Sequence, residues 1–541
     1  MSSLPHLIYR IRSASYLKIM SVTVTIIICI FLIYNSFYLS PVNIRSHKND
    51  NSNNNKDSSI IVIQDLLASL QESIQQNEVL TKQINQFNNK AHLKYPQSSP
   101  EILNKAGVIR DSYNFSVSGK LFNGITLWCT DFHITPIADL KYLLSDFGIR
   151  IIDKSLSGAC GRMGTCAKDL KVLNTGNAYY LGDKPWKLSR QLFEAYKNDE
   201  EFAQVDAIVC FHPIVQCQLY MPFNKSIIMI SSTRYEHGQQ PPNEWTNFNK
   251  VIKHVASSTR NIIAGNSVYD AEYISYFTGL PTYYIPSFCG HIKARYSHPA
   301  PRKEFLLGHS HVSGATDKRY WDTGSLLFPY GMEQIALAKQ KFNANNMIFK
   351  GITELYSHYE YSDLASHPAL IHFPYQVSVM SFFEHYRMNI PLFVPSLDFL
   401  VELDIKHYLI SERTWDKIYG KGISDHSTIP KDPHFVLHNY DPNDEINKDS
   451  VRYWLSKADY YTKPHIQYFD SFEDLIIKLQ KADFAKISRE MELHNIQFHA
   501  QLHAQWSELL TKIFKDRPKE GYRMSNNFDT ALKELYGITV D

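Results

Sequence analysis

The stretch His372-Phe-Pro-Tyr-Gln376-Val-Ser378-Val-Met-Ser-Phe-Phe-Glu384-His-Tyr-Arg-Met-Asn389-Ile-Pro391-Leu-Phe393 decides how the rest of the chain is read. It continues an apolar run, Ala369 to Phe373, which Pro374 closes. A helix is expected from about Val377 to Arg387, then a second apolar run from Ile390 to Val394. Two short apolar strands joined through a helix make the crossover unit of a parallel sheet, which is buried on both faces. Gln376 falls in the turn or at the helix start. Glu384 follows eight positions later on nearly the same helical face.

The same alternation runs outward in both directions. Upstream, Ile125–Cys129, Ile149–Ile152, Ala207–Phe211, Ser226–Ile230, Asn261–Ala264 and Tyr283–Ile285 read as strands, with helices expected over Pro136–Phe147 and Tyr269–Phe277. The cycle restarts at Glu304–Gly308, with a helix over Met332–Lys341 and a strand at Asn346–Phe349. The expected fold is therefore α/β, with two Rossmann-like doubly wound domains over 106–290 and 291–480 and further helices over 481–541. Within the last segment His494, His499 and His503 stand at spacings of five and four. Two histidines at i and i+4 suit a metal. No acidic helper motif accompanies them, so a packed or solvated helix face is expected and no metal site.

The first hundred residues have a different character. Residues 19–39 carry no charged side chain, long enough for the roughly twenty apolar residues of a membrane helix and too long for a cleaved signal. Arg10, Arg12 and Lys18 precede this run without an acidic neighbour, which places 1–18 in the cytosol and the remainder in the lumen. Residues 40–105 read as a stem. Ile60, Ile63, Leu67, Leu70, Ile74 and Ile84 form a short heptad stripe, suited either to pairing two chains or to a lone amphipathic helix. Asn114-Phe-Ser and Asn224-Lys-Ser are glycosylation acceptors in a lumenal protein. Six of the seven cysteines follow the apolar run, an even number that permits three disulfides, with Cys160 to Cys166 a plausible local loop. The net charge of +2 gives no basic face for a nucleic acid. Aromatic residues make up 13% of the chain, enough to fill a large core.

The quoted stretch resembles the GT-B glycosyltransferases. Many of these carry a glutamate, seven residues, a second glutamate, and then x4-Gly-x-Pro before an apolar strand. Here Gln376 stands at the first glutamate, Glu384 at the second, Asn389 at the glycine and Pro391 at the proline. The resemblance implies that Glu384 binds the ribose of a nucleotide and that Gln376 touches the donor sugar; Ser378 is a further candidate for binding the donor. A short tail, one span, a stem and a large lumenal region is also the layout of Golgi glycosyltransferases. It implies a single-pass enzyme of the Golgi, or endoplasmic reticulum, membrane. Such an enzyme would take a nucleotide sugar as co-substrate, with no further cofactor, and a glycan, glycoprotein or glycolipid as acceptor.

Other cleft candidates follow from position. Lys318 and Arg319, after the first strand of the second domain, would neutralise a diphosphate leaving group. Asp131 and His133 follow the first strand of the first domain, where some inverting members place the base that deprotonates the acceptor. Arg234 and Glu236 end a strand and would face the cleft or pair with each other. The GT-A architecture usually needs Asp-x-Asp, and no two aspartates of this chain are separated by one residue. A sulfotransferase would need a phosphate loop, which Thr130-Asp131-Phe-His133-Ile-Thr135-Pro136 does not supply. A GT-B-like binding or scaffold protein without turnover stays open, because Gln376 lacks the family's charge.

Overall fold

The computed structural model describes residues 122–308, 327–518 and 521–540. The apolar run 19–39, the stem, Asn114, Lys318 and Arg319 lie outside the described residues. Among the described residues no helix is long and apolar enough to cross a membrane.

Two parallel sheets form the frame. The first contains β1 Thr126–Cys129, β2 Arg150–Asp153, β3 Ala207–Cys210, β4 Ser226–Ser231, β5 Ile262–Gly265 and β6 Tyr283–Tyr284, in the order β2-β1-β3-β4-β5-β6. The second contains β7 Glu304–Leu307, β8 Ile348–Gly351, β9 Leu370–Ile371, β10 Leu392–Pro395 and β11 Gln467–Phe469, in the order β8-β7-β9-β10-β11. Each sheet begins the same way: its second strand lies on one side of its first, and its third on the other. In such sheets the crevice between the first and third strands is the topological switch point, where ligands bind at the carboxyl ends.

The continuous apolar strands are explained by what each face meets. Leu127, Val209, Ile228, Ile230 and Ala264 point to one core, whereas Trp128, Ile208, Met229 and Ile263 point to the other. Alternation across a pleated strand puts successive side chains on opposite faces, and here both faces are covered. On the first of these faces lies α1 (Ile134–Leu144), through Ile137, Leu140, Leu143 and Leu144.

The remaining cover comes from the far end of the chain. Helix α6 (Phe484–Phe514) buries Ile487 and Met491 in the core that includes the second sheet. Its later residues Leu502, Trp506, Leu509, Leu510 and Ile513 join Leu127 and Leu140 under the first sheet. A following helix, α7 (Phe528–Tyr536), sets Phe528 against Phe193 of the first domain. The segment expected as C-terminal helices over 481–541 thus begins on the core of the second sheet and ends beneath the first. Its helical period was legible, but not the sheet it would cover.

The three histidines of α6 are packed as expected. His494 stacks on Phe498, His499 on Phe288, and His503 on Phe147, with ring centroids 5.6, 4.7 and 4.2 Å apart. Two disulfides form rather than three, Cys160–Cys166 and Cys210–Cys217. Cys129 and Cys289 are buried as free thiols.

Candidate functional site

The two switch points open onto one cavity of about 470 Å³, lined by His133, His212, Arg234 and His237 from the first domain and by Gln376, Ser378 and Trp415 among others from the second. Each wall follows from where a strand ends.

Beyond β1 the chain runs Thr130-Asp131-Phe132-His133. Asp131 is buried, and its carboxylate receives the backbone N–H of His133 at 2.7 Å and those of Phe211 and His212 at 2.8 Å each. Burial pushes its pKa up to about 7, against the three N–H donors that favour the charged form. Asp131 therefore ties the end of β1 to the end of β3 and does not itself line the cavity. His133 does line it, at the N-cap of α1.

Beyond β3 stands His212, whose Nε2 lies 3.1 Å from the Tyr179 hydroxyl. His237 follows β4. The rings of His133 and His212 are 4.4 Å apart, and those of His212 and His237 are 4.7 Å apart. Burial pushes all three pKa values down, His212 well below the usual range and His237 to about 3, where Arg234 adds to the effect. The three imidazoles are therefore neutral at physiological pH, a state in which a ring nitrogen can accept a proton. Of the three, the sequence pattern singled out only His133. His212 and His237 carry a positional signal, two and six residues past an apolar strand, but no motif.

Arg234 is buried, with its guanidinium 4.3 Å over the Trp415 ring and Nη1 donating to the Glu412 carbonyl. It forms no direct ion pair with Glu236 among the described residues. Glu236 instead lies beneath the cavity and accepts from Trp415 Nε1 at 2.6 Å and Tyr273 OH at 3.0 Å. Burial raises its pKa, and the neighbouring Arg234 draws it down.

The opposite wall is the quoted stretch. Helix α5 (Met380–Arg387) begins three residues later than the pattern predicts, because Val377 to Val379 stay in the loop after Pro374. Ser378, Met380 and Ser381 line the cavity, and no side chain caps the helix at Val379. The first N–H groups of a helix lack intrahelical partners and carry partial positive charge, which suits an anion. Gln376 Nε2 donates to Thr233 Oγ1 at 2.9 Å across the cleft.

Glu384 is placed differently. It is buried one turn along α5, where it accepts from Thr135 Oγ1 at 2.8 Å and Tyr361 OH at 3.1 Å, and it does not line the cavity. Gln376 lies in the loop before the helix, so the two residues share no helical face, and the face that carries Glu384 meets α1 of the other domain. Asn224 is half-buried with φ 55°, and its Nδ2 donates to the Arg523 carbonyl at 2.7 Å. Among the described residues no cluster of three histidine, cysteine or acidic side chains is arranged to hold a metal.

No family sequence profile matches the chain, and no curated protein matches it. Solved structures are similar in backbone course. The glycotransferase of kitacinnamycin shares 12% identity over 72% of this chain and 99% of its own, with a TM-score of 0.36. For the glycosyltransferase SnogD from Streptomyces nogalater the values are 12%, 72%, 98% and 0.34. For the spinosyn rhamnosyltransferase SpnG complexed with thymidine diphosphate they are 10%, 71%, 100% and 0.32.

Proposed function

We propose that the chain transfers a sugar from a nucleotide-sugar donor to the hydroxyl of a glycan, glycoprotein or glycolipid. One observation carries this reading: a single cavity at two facing switch points brings together anion-binding groups, Arg234 from the first domain and the uncapped start of α5 from the second, and a row of neutral imidazoles beside Arg234. A nucleoside diphosphate carries negative charge that Arg234 and the α5 N–H groups would hold, and the acceptor needs a base that an imidazole would supply.

In this scheme His133 takes the proton of the acceptor hydroxyl. The acceptor oxygen bonds to the anomeric carbon as the bond from that carbon to the phosphate oxygen breaks. The electron pair leaves with the diphosphate, whose developing charge Arg234 and the α5 N–H groups stabilise. Asp131 positions His133 and His212 through their backbone N–H groups. Gln376 and Ser378 face the donor sugar. Lys318 and Arg319 would add charge at the diphosphate. Glu384 reaches a ribose only by releasing Thr135 and Tyr361. The apolar run 19–39 and the stem support a Golgi or endoplasmic-reticulum membrane setting.

The purified chain should release nucleotide from at least one member of a nucleotide-sugar panel. Failure of every nucleoside diphosphate to bind would remove the reading. Gln376, tied to Thr233, favours the second reading, a protein that binds a nucleotide sugar without transferring it. Binding without any turnover would select that one.

A further inference from the structure

A second hollow lies behind one wall of the cavity. The segments Tyr179–Gly182 and His237–Gln239 form that wall. Tyr179, Tyr180 and His237 face the cavity, whereas Gly182 and Gln239 line a separate space of about 240 Å³. The two segments are bound together: Gln239 Nε2 donates to the Gly182 carbonyl at 3.2 Å. Gly238, at φ 90°, lets the turn approach so closely that a Cβ there would meet the Tyr179 carbonyl oxygen.

The lining of this hollow comes from the first domain and from Ile538 near the chain's end, with nothing from the second domain. Trp186 stands at the start of α2 (Pro185–Tyr196). Glu244 and Asn247 lie one turn apart on α3 (Pro242–Ala256), and they share a face at three-residue spacing. Gln218 and Gln239 are nearly fully buried yet present themselves to the hollow.

This set of side chains selects a ligand class. The amides of Gln218, Gln239 and Asn247 both donate and accept hydrogen bonds, and the carboxylates of Asp183 and Glu244 accept them. Trp186 adds one broad apolar surface beside them. A sugar ring has hydroxyls around its edge and C–H bonds on its faces, and it matches that mixture. Lys250 and His254 complete the polar lining, so a lipid tail would leave seven polar side chains unpaired, and a phosphate would meet two carboxylates against the one lysine. The volume is below the roughly 300–1,000 Å³ of a drug-sized pocket, which suits one ring of a longer chain.

We propose that this hollow is a saccharide subsite for the acceptor, holding a ring distal to the one whose hydroxyl enters the cavity. The inference rests on the transferase reading for its role but not for its ligand. It makes the acceptor an oligosaccharide rather than a single sugar or a bare lipid.

Saturation-transfer NMR on the full-length chain in detergent tests it, with mannotriose, chitotriose, maltotriose and N-acetyllactosamine as probes and a tetra-arginine peptide as the cationic control. Nucleoside diphosphate binding is measured separately on the same samples. At least one saccharide should receive saturation. The signal should fall at least fivefold in Glu244→Gln/Asn247→Ala and in Trp186→Ala, with nucleotide affinity unchanged. Thermal melts guard against unfolding, and the double variant, on the surface of α3, decides the matter if Trp186→Ala melts early. Saccharide binding lost in the variants would uphold the subsite even if no nucleotide bound, in which case only the transferase reading falls. No signal from any saccharide, a signal unchanged in the double variant, or binding of the peptide alone would overturn the proposal.

Discussion

The Arg234 guanidinium and the Trp415 indole face each other at 4.3 Å, one from each domain, and the indole nitrogen reaches down to Glu236 at 2.6 Å. The arginine is thus held over an aromatic ring in the wall of a cavity that also receives the start of α5. The cation–ring contact and the hydrogen bond to the Glu412 carbonyl fix its position.

Arg234→Ala should weaken nucleoside diphosphate binding by about ten- to a hundredfold, from roughly 1.5–3 kcal/mol for a hydrogen bond to a charged group. Arg234→Lys should recover little of this, because an ammonium has neither the plane to stack nor the paired donors. Calorimetric titration measures both. Wild-type affinity in the alanine variant would place the diphosphate elsewhere.

The imidazoles should set an acid limb of kcat/KM below the ordinary histidine pKa. Burial lowers the values of His133, His212 and His237, so a base among them stays unprotonated as the pH falls through about 6.5. His133→Ala should abolish turnover and leave nucleotide binding intact. Burial holds Asp131 at about 7, so a profile already falling at pH 7 that is unchanged in Asp131→Asn would mean that the base is not in this cluster.

Asp131→Asn should be more damaging than its small change suggests. One carboxylate oxygen accepts from Phe211 and His212, the other from His133. An asparagine must turn an N–H towards at least one of these donors. Loss of a charged hydrogen bond and the clash together should cost roughly 2–4 kcal/mol. Turnover should fall further than the melting temperature explains, because both histidines shift.

Glu384→Ala should lower stability by roughly 1–3 kcal/mol, the cost of leaving buried hydroxyl partners unmatched, and change nucleotide affinity by less than about threefold. A large loss of nucleotide binding in a well-folded variant would restore Glu384 as a donor ligand. Melts and titrations on one sample separate the two outcomes.

Peptide mapping under non-reducing conditions should recover Cys160 joined to Cys166 and Cys210 joined to Cys217. Cys129 and Cys289 should alkylate only after denaturation, since both thiols are buried. Free Cys210 in the native protein would contradict the structure directly.

The strands were legible because a strand covered on both faces needs apolar residues at every position, and Ala207–Cys210 or Ile262–Gly265 supply them locally. The quoted stretch gave its strand, helix and strand for the same reason. What each polar residue does was less accessible. Asp131 looked like a base beside His133, but its partners Phe211 and His212 lie eighty residues away on another strand. Glu384 was expected on one helical face with Gln376, but the helix starts only at Met380, and the partner that holds Glu384 is Thr135, 249 residues earlier. His212 and His237 have no local pattern at all, because only the side-by-side arrangement of β1, β3 and β4 makes them neighbours.

The return of α6 to the first sheet also orders events on the ribosome. Leu140 and Leu144 of α1 leave the exit tunnel long before Leu502, Trp506 and Leu510, the residues that cover them. At roughly 5–20 residues per second, the interval between the two groups is on the order of 20–70 s. Through that time the newborn first domain displays an uncovered apolar face. A stop codon just before Leu502 removes less than a tenth of the chain yet leaves that face without this cover, so a short truncation at the far end would harm the earliest-made domain.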